Sequence, residues 1–409
     1  MSNNEMNLVR DILSSDSSLK ASLMVYNNKD LLRGWNFILT GGDKKNIPTY
    51  VTEKTFSNGA IISSIFSNSE LVFLNNDIVD KMMIGKADIK IDYSIALDTQ
   101  MVSYLKPFLN KQESRIPKGY DEIFDFIVRN DVNIDDIPFI YENIPNISNF
   151  QNIDKIRERL EAYEILKTID KEKYKSNKVI CSKLTQEEIN KSVLDTINNM
   201  IKMKDNKKLI DYVNEPYKGK YCLLLKMILI QLKNPKRKRE SKLMDFFEFC
   251  HYKLGVMSLR ELKIASEYYI NGKQLGFFDK IQTNTYDLLY NIKNMAWDLY
   301  HIFDIERRVR DWTYKKDNFF IPSFLTIDKR FIEIIKSYSI KGIAFSEDKG
   351  LIVPLCNFTE LISSLDDSYK FEKFFSKKFI EERRQINGIS NIDLIIEELE
   401  KEAYNYIKK

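Results

Sequence analysis

A chain of 409 residues that is 44% hydrophobic and 12% aromatic can bury a sizeable core, and its length suits two or three domains. Its 63 basic and 59 acidic residues leave a net charge of +4, too balanced to announce nucleic acid, so the distribution of charge matters more than the total. Four widely spaced cysteines with no Cys-x-x-Cys pair argue against a disulfide framework or structural zinc and fit a reducing cytoplasm, and the longest apolar run, YCLLLKMILIQL at 221–232, is too short and too interrupted by Lys226 to cross a membrane.

Residues 1–24 begin the chain with a short helical pattern, and β-type runs follow at 34–39, 48–52, 60–65 and 71–74, separated by Gly, Asn and Ser. Together they predict a small α/β lobe over 1–88. The Thr40-Gly41-Gly42 stretch within it lacks the spacing of a phosphate-cradling loop and predicts a hairpin turn. A further strand is predicted at 91–97. From about residue 120 the helical period dominates, near 119–130, 154–169, 185–204, 219–232, 240–253, 258–271 and 281–310. Strand signals return at 322–327, 341–345 and 351–355, where alternation of helix and strand predicts the second half of a parallel sheet. Helical patterns at 357–366 and 369–386 lead to a closing amphipathic helix at 391–408, with Ile392, Ile395, Leu399, Ala403 and Ile407 on one stripe.

Four acids stand where short apolar runs end or helices turn inward: Asp98 in IALDTQMVSYL, Glu142 in IPFIYENI, Asp298 in NMAWDLYHI and Asp328 in FIPSFLTIDKRF. A carboxylate in such surroundings loses hydration unless a cation or metal compensates it. Converging hard oxygen ligands select Mg²⁺ or Mn²⁺, ions that serve phosphodiester hydrolysis.

Two of these segments carry a resemblance. Ile95-Ala96-Leu97-Asp98-Thr99 resembles the hydrophobic-Asp-Thr signature that ends the first strand of PIN-like nucleases, and Leu325-Thr326-Ile327-Asp328-Lys329 resembles their late Thr-x-Asp-Lys signature. The resemblance covers about 90–145 and 280–350 and implies an α/β fold, a PIN-like parallel sheet with helices on both faces. It further implies that Asp98, Glu142, Asp298 and Asp328 surround one or two divalent ions as catalytic ligands, leaving 5′-phosphate and 3′-hydroxyl ends. Because Glu142 and Asp298 are 156 positions apart, far more than a compact domain leaves there, a large, mostly helical insertion is expected. The resulting division is 1–88 N-terminal lobe, 89–150 first half of the PIN-like domain, 151–257 helical insertion, 258–356 second half and 357–409 C-terminal helical segment.

Each acid also has a plainer role open to it. Asp98 and Asp328 each precede a helical pattern and suit an N-cap, Glu142 suits a solvated turn before Pro145, and Asp298 suits pairing with Arg307 or Arg308. Only the ordered set of four favours a site. The run KNPKRKRESK at 233–242 places Lys236, Arg237, Lys238 and Arg239 where they suit either phosphate contacts or a solvated loop, and Arg307 and Arg308 with Trp312 form a second basic group that suits either holding a phosphate and stacking a base or a helix end with satisfied ion pairs. With only His251 and His301, histidine-based chemistry has no constellation, and His301 reads as a half-buried satisfied histidine.

The sequence therefore leads to a metal-dependent PIN-like endoribonuclease in the cytoplasm, a toxin or defence effector, with RNA as the preferred partner and with a regulatory protein or a second copy of the chain also in view. A non-catalytic nucleic-acid-binding protein on a degenerate PIN fold and a DNA nuclease are the alternatives. The presence of all four acids argues against degeneration.

Overall fold

The runs IDYSIAL and FFIPSFLT become neighbouring parallel strands, the second buried along its whole length and the first from Ser94 to Leu97, as strands are when a sheet is covered on both faces. The computed structural model describes residues 3–42, 47–66, 69–281, 287–316, 318–337, 340–355, 358–363 and 365–407. In chain order its elements are α1 (Asn3–Leu13), α2 (Ser18–Asn27), β1 (Asn36–Thr40), α3 (Thr49–Thr52), β2 (Glu53–Thr55), β3 (Ile61–Ser64), β4 (Leu71–Leu74), α4 (Asn76–Met83), β5 (Ile91–Leu97), α5 (Thr99–Leu109), α6 (Tyr120–Arg129), β6 (Ile134–Asp135), α7 (Ile137–Asn143), α8 (Phe150–Lys167), α9 (Lys171–Asn177) and α10 (Gln186–Asp205). There follow α11 (Lys207–Lys233), α12 (Arg239–Glu248), a π-helical turn over Phe249–Leu254, α13 (Leu259–Asn271), α14 (Leu288–Lys316), β7 (Phe319–Thr326), α15 (Lys329–Ser337), β8 (Gly342–Ser346), β9 (Leu351–Leu355), α16 (Phe358–Ser363), α17 (Tyr369–Glu372), α18 (Lys377–Arg384) and α19 (Ile392–Ile407).

Two units divide the chain: Met1–Ile210 with Phe303–Ile335 and Ser339–Cys356, and Asp211–Ile302 with Lys336–Tyr338 and Asn357–Lys409. The first unit holds both sheets. One, ordered β4-β1-β8-β9, is antiparallel throughout, and α1 and α2 help to close its core, where Val9, Ile12 and Val25 join Trp35, Phe37, Leu74 and Ala344. The other runs β2-β3-β7-β5-β6 and is mixed, with β7, β5 and β6 parallel and β2 and β3 antiparallel beside them. Its core is built by Ile95 and Leu97 with Met101 and Leu105 of α5, Phe124 of α6, Phe139 of α7 and Leu160 of α8.

The expected parallel sheet is thus confined to three strands, and antiparallel pairing prevails over the two sheets. The reason is local. β2 and β3 are joined through a tight turn in which Gly59 adopts φ +86°, a geometry that fixes an antiparallel hairpin, and β3 then adds to β7. Residues of the N-terminal stretch therefore supply β1 to β4 of these same two sheets. The run at 48–52 is a helical turn, α3, while Gly41 and Gly42 both donate backbone N–H to Glu70 O; the residues that follow, 43–46, lie outside those described.

The second unit is helical. Leu224 and Ile228 of α11, Phe246 and Phe247 of α12, Leu262 of α13 and Phe371 of α17 are fully buried, and Phe247 meets Phe371 and Phe374 with ring centroids 5.1 and 5.4 Å apart. A Cβ on Gly388 would lie 2.0 Å from Lys253 O, so only glycine lets that turn rest on the end of the π-helical turn. The helical stretch expected at 151–257 is divided, with α8 to α10 in the first unit and α11 onward in the second. Among the described residues Cys181, Cys222 and Cys250 are free thiols, and no helix is long and apolar enough to cross a membrane.

Candidate functional site

β5 and β7 run in register, Leu97 opposite Leu325, so the residues that follow them emerge at the same, carboxyl edge of the sheet. Asp98 N–H extends the ladder by donating to Leu325 O at 3.0 Å. The buried hydroxyl of Thr326 then donates to Asp98 Oδ2 at 2.7 Å and accepts the N–H of Asp328 at 3.1 Å. One side chain thereby ties the two acids together. Both also cap helices: Gln100 N–H donates to Asp98 Oδ1 at 3.3 Å at the start of α5, and Arg330 N–H donates to Asp328 Oδ1 at 2.9 Å at the start of α15. Capping and convergence are compatible, because two parallel strands each followed by a helix aim two helix N-termini at one edge, where carboxylate charge is favoured. Tyr104 of α5 registers both acids: burial raises its hydroxyl pKa above the usual value, and the charges of Asp98 and then Asp328 push it further.

A second acidic group lies alongside. β6 pairs Asp135 with Ala96 of β5, and alternation places Ser94, Ala96 and Asp98 on one face of that strand. The Ser94 hydroxyl donates to Asp135 Oδ2, which also receives Arg308 Nη1 at 3.0 Å, while Asp135 Oδ1 accepts Ile137 N–H at 3.2 Å as α7 begins. Arg308 Nε lies 3.1 Å from Asp304 Oδ2, and Arg307 Nη2 donates to Asp304 Oδ1 at 2.5 Å. Arg307, Arg308 and Asp304 are only 4%, 2% and 2% exposed. Burial opposes the charge on Arg308, yet Asp135 and Asp304 outweigh it and hold its pKa above the ordinary value. Next in the chain, Asp136 is almost completely buried; burial first, and the charge of Asp135 second, raise its carboxyl to about 7. Tyr141 of α7 is raised by burial and by Asp304.

Of the four acids singled out in the sequence, Asp98 and Asp328 are brought to one strand edge. Glu142 lies half-buried on α7 in the first unit, and Asp298 lies half-buried on the part of α14 that belongs to the second unit. Among the described residues, no group of three or more His, Cys, Asp or Glu side chains is arranged to hold a metal ion. Arg307 and Arg308 are not solvent-facing phosphate ligands: their guanidinium groups are buried against Asp304 and Asp135. Trp312 packs on Phe320 with ring centroids 4.8 Å apart. Lys236, Arg237 and Lys238 are exposed and Arg239 is half-buried, but Arg237 pairs with Asp245 and Arg239 with Glu240. Lys242 is buried and shapes this loop from inside by donating to Gln231 Oε1 and Pro235 O. His301 is fully buried rather than half-buried.

Sequence reasoning missed Asp135 and Asp304, and it took Thr326 only as part of the Thr-x-Asp-Lys signature. Asp304 did leave a signal, since Arg307 and Arg308 follow it at i+3 and i+4, the spacing of side-chain neighbours on a helix. Asp298, nine and ten positions before them, lacks that spacing. Asp135 had only a short Asn-Ile-Asp-Asp-Ile-Pro segment to mark it. The fold and site thus define an α/β unit with two linked acids at the carboxyl edge of parallel strands, joined in the chain to a helical unit. Comparison with models of known families, with curated proteins and with solved structures gave no match.

Proposed function

We propose that the first unit is a metal-dependent phosphodiester hydrolase of the PIN-like kind, acting on RNA by preference, with Asp98 and Asp328 as the residues that hold the ion. The observation that carries this reading is the Asp98–Thr326–Asp328 linkage at the carboxyl edge of β5 and β7. The donor set fits Mg²⁺ or Mn²⁺, because Mg²⁺ is commonly held through one or two carboxylates and completes its shell with water and substrate phosphate. When bound, such an ion lowers the pKa of a water and offsets charge that develops on phosphodiester oxygens.

The chain's own residues have separate tasks. Thr326 fixes the rotamer of Asp98 through its donated hydrogen bond, and the first turns of α5 and α15 donate backbone N–H groups to the carboxylates of Asp98 and Asp328. Arg308 and Arg307 together offset the charges of Asp135 and Asp304, which keeps two further carboxylates on β6 and α14 from adding to the negative charge of the site. Replacement of Glu142 and of Asp298, which that edge does not hold, is read in the same assay as a comparison. Independently of that edge, the exposed Lys236 and Lys238 of the second unit, rather than the buried Arg307 and Arg308, are proposed to contact a nucleic-acid backbone. Incubating end-labelled RNA with the purified chain in Mg²⁺ or Mn²⁺ tests the reading: wild type cleaves and Asp98→Asn does not, whereas equal cleavage by both would assign the activity elsewhere.

A further inference from the structure

Sheet topology brings a third feature to the strand edge that carries Asp98 and Asp328. β3 runs antiparallel to β7 with Ile61 opposite Thr326, so the turn that precedes Ile61, residues 56–60, closes at that same edge. In the order β3-β7-β5 this turn stands beyond Asp328, on the side away from Asp98. Neighbouring strands are about 5 Å apart, which puts the end of β3 roughly 10 Å from the end of β5.

The turn is held from two sides. Phe56 N–H donates to Ala60 O at 2.9 Å, and Gly59 N–H donates to Phe56 O at 3.0 Å. Ser57 donates its N–H, at 3.1 Å, and its hydroxyl to Glu122 Oε2 of α6. A Cβ on Gly119, the residue that opens α6, would lie 3.2 Å from Asn58 Cβ, so the turn also rests on the start of that helix. Gly59 presents no side chain, and Lys329 Cε lies 3.5 Å from the place a Cβ on Gly59 would take. The apolar stem of Lys329 therefore lies along a fixed turn.

Lys329 opens α15 directly after Asp328; it is exposed, and among the described residues it has no ion-pair partner. The other lysines of the two helices that leave this edge are accounted for: Lys106 of α5 pairs with Glu161 at 3.2 Å, and Lys336 lies at the far end of α15. A cation in a first turn is disfavoured by the helix dipole, so α15 itself gains nothing from Lys329 there. An ammonium one strand away from a pair of acids is placed for the phosphate beside the one that those acids and their ion would face. Lysine acts there as a point charge, which positions a backbone without reading bases.

We propose that Lys329 holds a backbone phosphate of the nucleic-acid strand, next to the phosphodiester that faces Asp98 and Asp328, and so lays the strand across this edge toward the 56–60 turn. The inference rests on the reading of those two acids as ligands of the ion, and it adds a binding residue in the first unit to that reading.

Two measurements on the full chain test it. Binding of a fluorescein-labelled single-stranded RNA is followed by anisotropy in EDTA over a range of salt, where metal-dependent cleavage is off, and Mn²⁺ binding without RNA is followed by electron paramagnetic resonance. Lys329→Gln is expected to weaken RNA binding by about tenfold at low salt and to reduce the slope of log affinity against log salt by about 0.7, with Mn²⁺ affinity within about twofold of wild type. Lys329→Arg, which keeps the charge, is expected to restore both affinity and slope. RNA affinity and slope equal to wild type in Lys329→Gln, with Mn²⁺ still bound, would overturn the inference and leave the reading of the acids standing. So would weaker binding with an unchanged slope, because a lost phosphate contact must alter the slope. A wild-type chain that binds no Mn²⁺ would overturn the reading of the acids, and the inference with it.

Discussion

Thr326 and Asp98 stand 228 positions apart in the chain, yet the hydroxyl of the first donates to the carboxylate of the second at 2.7 Å. The bond exists because β5 and β7 are parallel neighbours in register, and it converts two separate sequence signals into one site. Thr326→Val keeps the shape of the side chain while removing the hydroxyl that Asp98 Oδ2 and the Asp328 N–H share. Urea unfolding should show a loss of about 1–3 kcal/mol, with Thr326→Ser close to wild type. A Val variant as stable as wild type would remove Thr326 from its linking role.

Arg308 bridges the half-buried Asp135 and the buried Asp304, and Asp304 pairs with Arg307 as well. Arg308→Met should destabilise the first unit by about 3–5 kcal/mol, since breaking a buried pair leaves uncompensated charge. Adding Asp135→Asn should recover part of the loss, because removing both members of a pair costs less than removing one. Additive losses in the double variant would show that the two groups are not coupled.

Asp136 should make stability depend on pH in the direction opposite to an ordinary paired carboxylate. Its folded pKa, about 7, lies above the unfolded value, so the folded state holds the proton more tightly. Its contribution is intact below the unfolded pKa, falls as pH rises toward 7 and is lost above it. Asp136→Asn should therefore match wild type near pH 4 and exceed it at pH 8, the gap growing by about 1.4 kcal/mol per unit of pH between the two pKa values. Parallel stability curves from pH 4 to 8 would refute this.

If the 234–238 loop grips nucleic acid, Lys236 and Lys238 are the informative positions, because Arg237 and Arg239 already pair with Asp245 and Glu240. Lys236→Ser/Lys238→Ser should weaken RNA binding equally for all sequences and reduce the slope of log affinity against log salt by about 0.7 for each phosphate no longer neutralised. An unchanged slope would make the loop a solvated connector.

Much of the strand content was legible in the sequence, including 91–97 and the three late strands, because buried apolar runs are local signals. Pairing direction was not. The residues of β2 and β3 look the same whether they build a lobe of their own or join β7, since alternation says which face is buried and not which neighbour is hydrogen-bonded. Asp98 and Asp328 were legible for the same reason as their strands, each acid ending an apolar run. The Asp135–Arg308–Asp304 network was not, because Asp135 is distant from the arginines in sequence; ion pairing of Arg307 and Arg308 was one of the readings open there, but with Asp298 as the acid, whereas the partners are Asp304 and Asp135.

The central claim is that Asp98 and Asp328 together hold a divalent cation, and Mn²⁺ binding followed by electron paramagnetic resonance tests it without requiring a substrate. Wild type should remove free Mn²⁺ signal with one saturable site, and Asp98→Asn and Asp328→Asn should each raise Kd by at least about tenfold, ~1.4 kcal/mol. Indistinguishable Mn²⁺ binding by wild type and both variants would contradict the account.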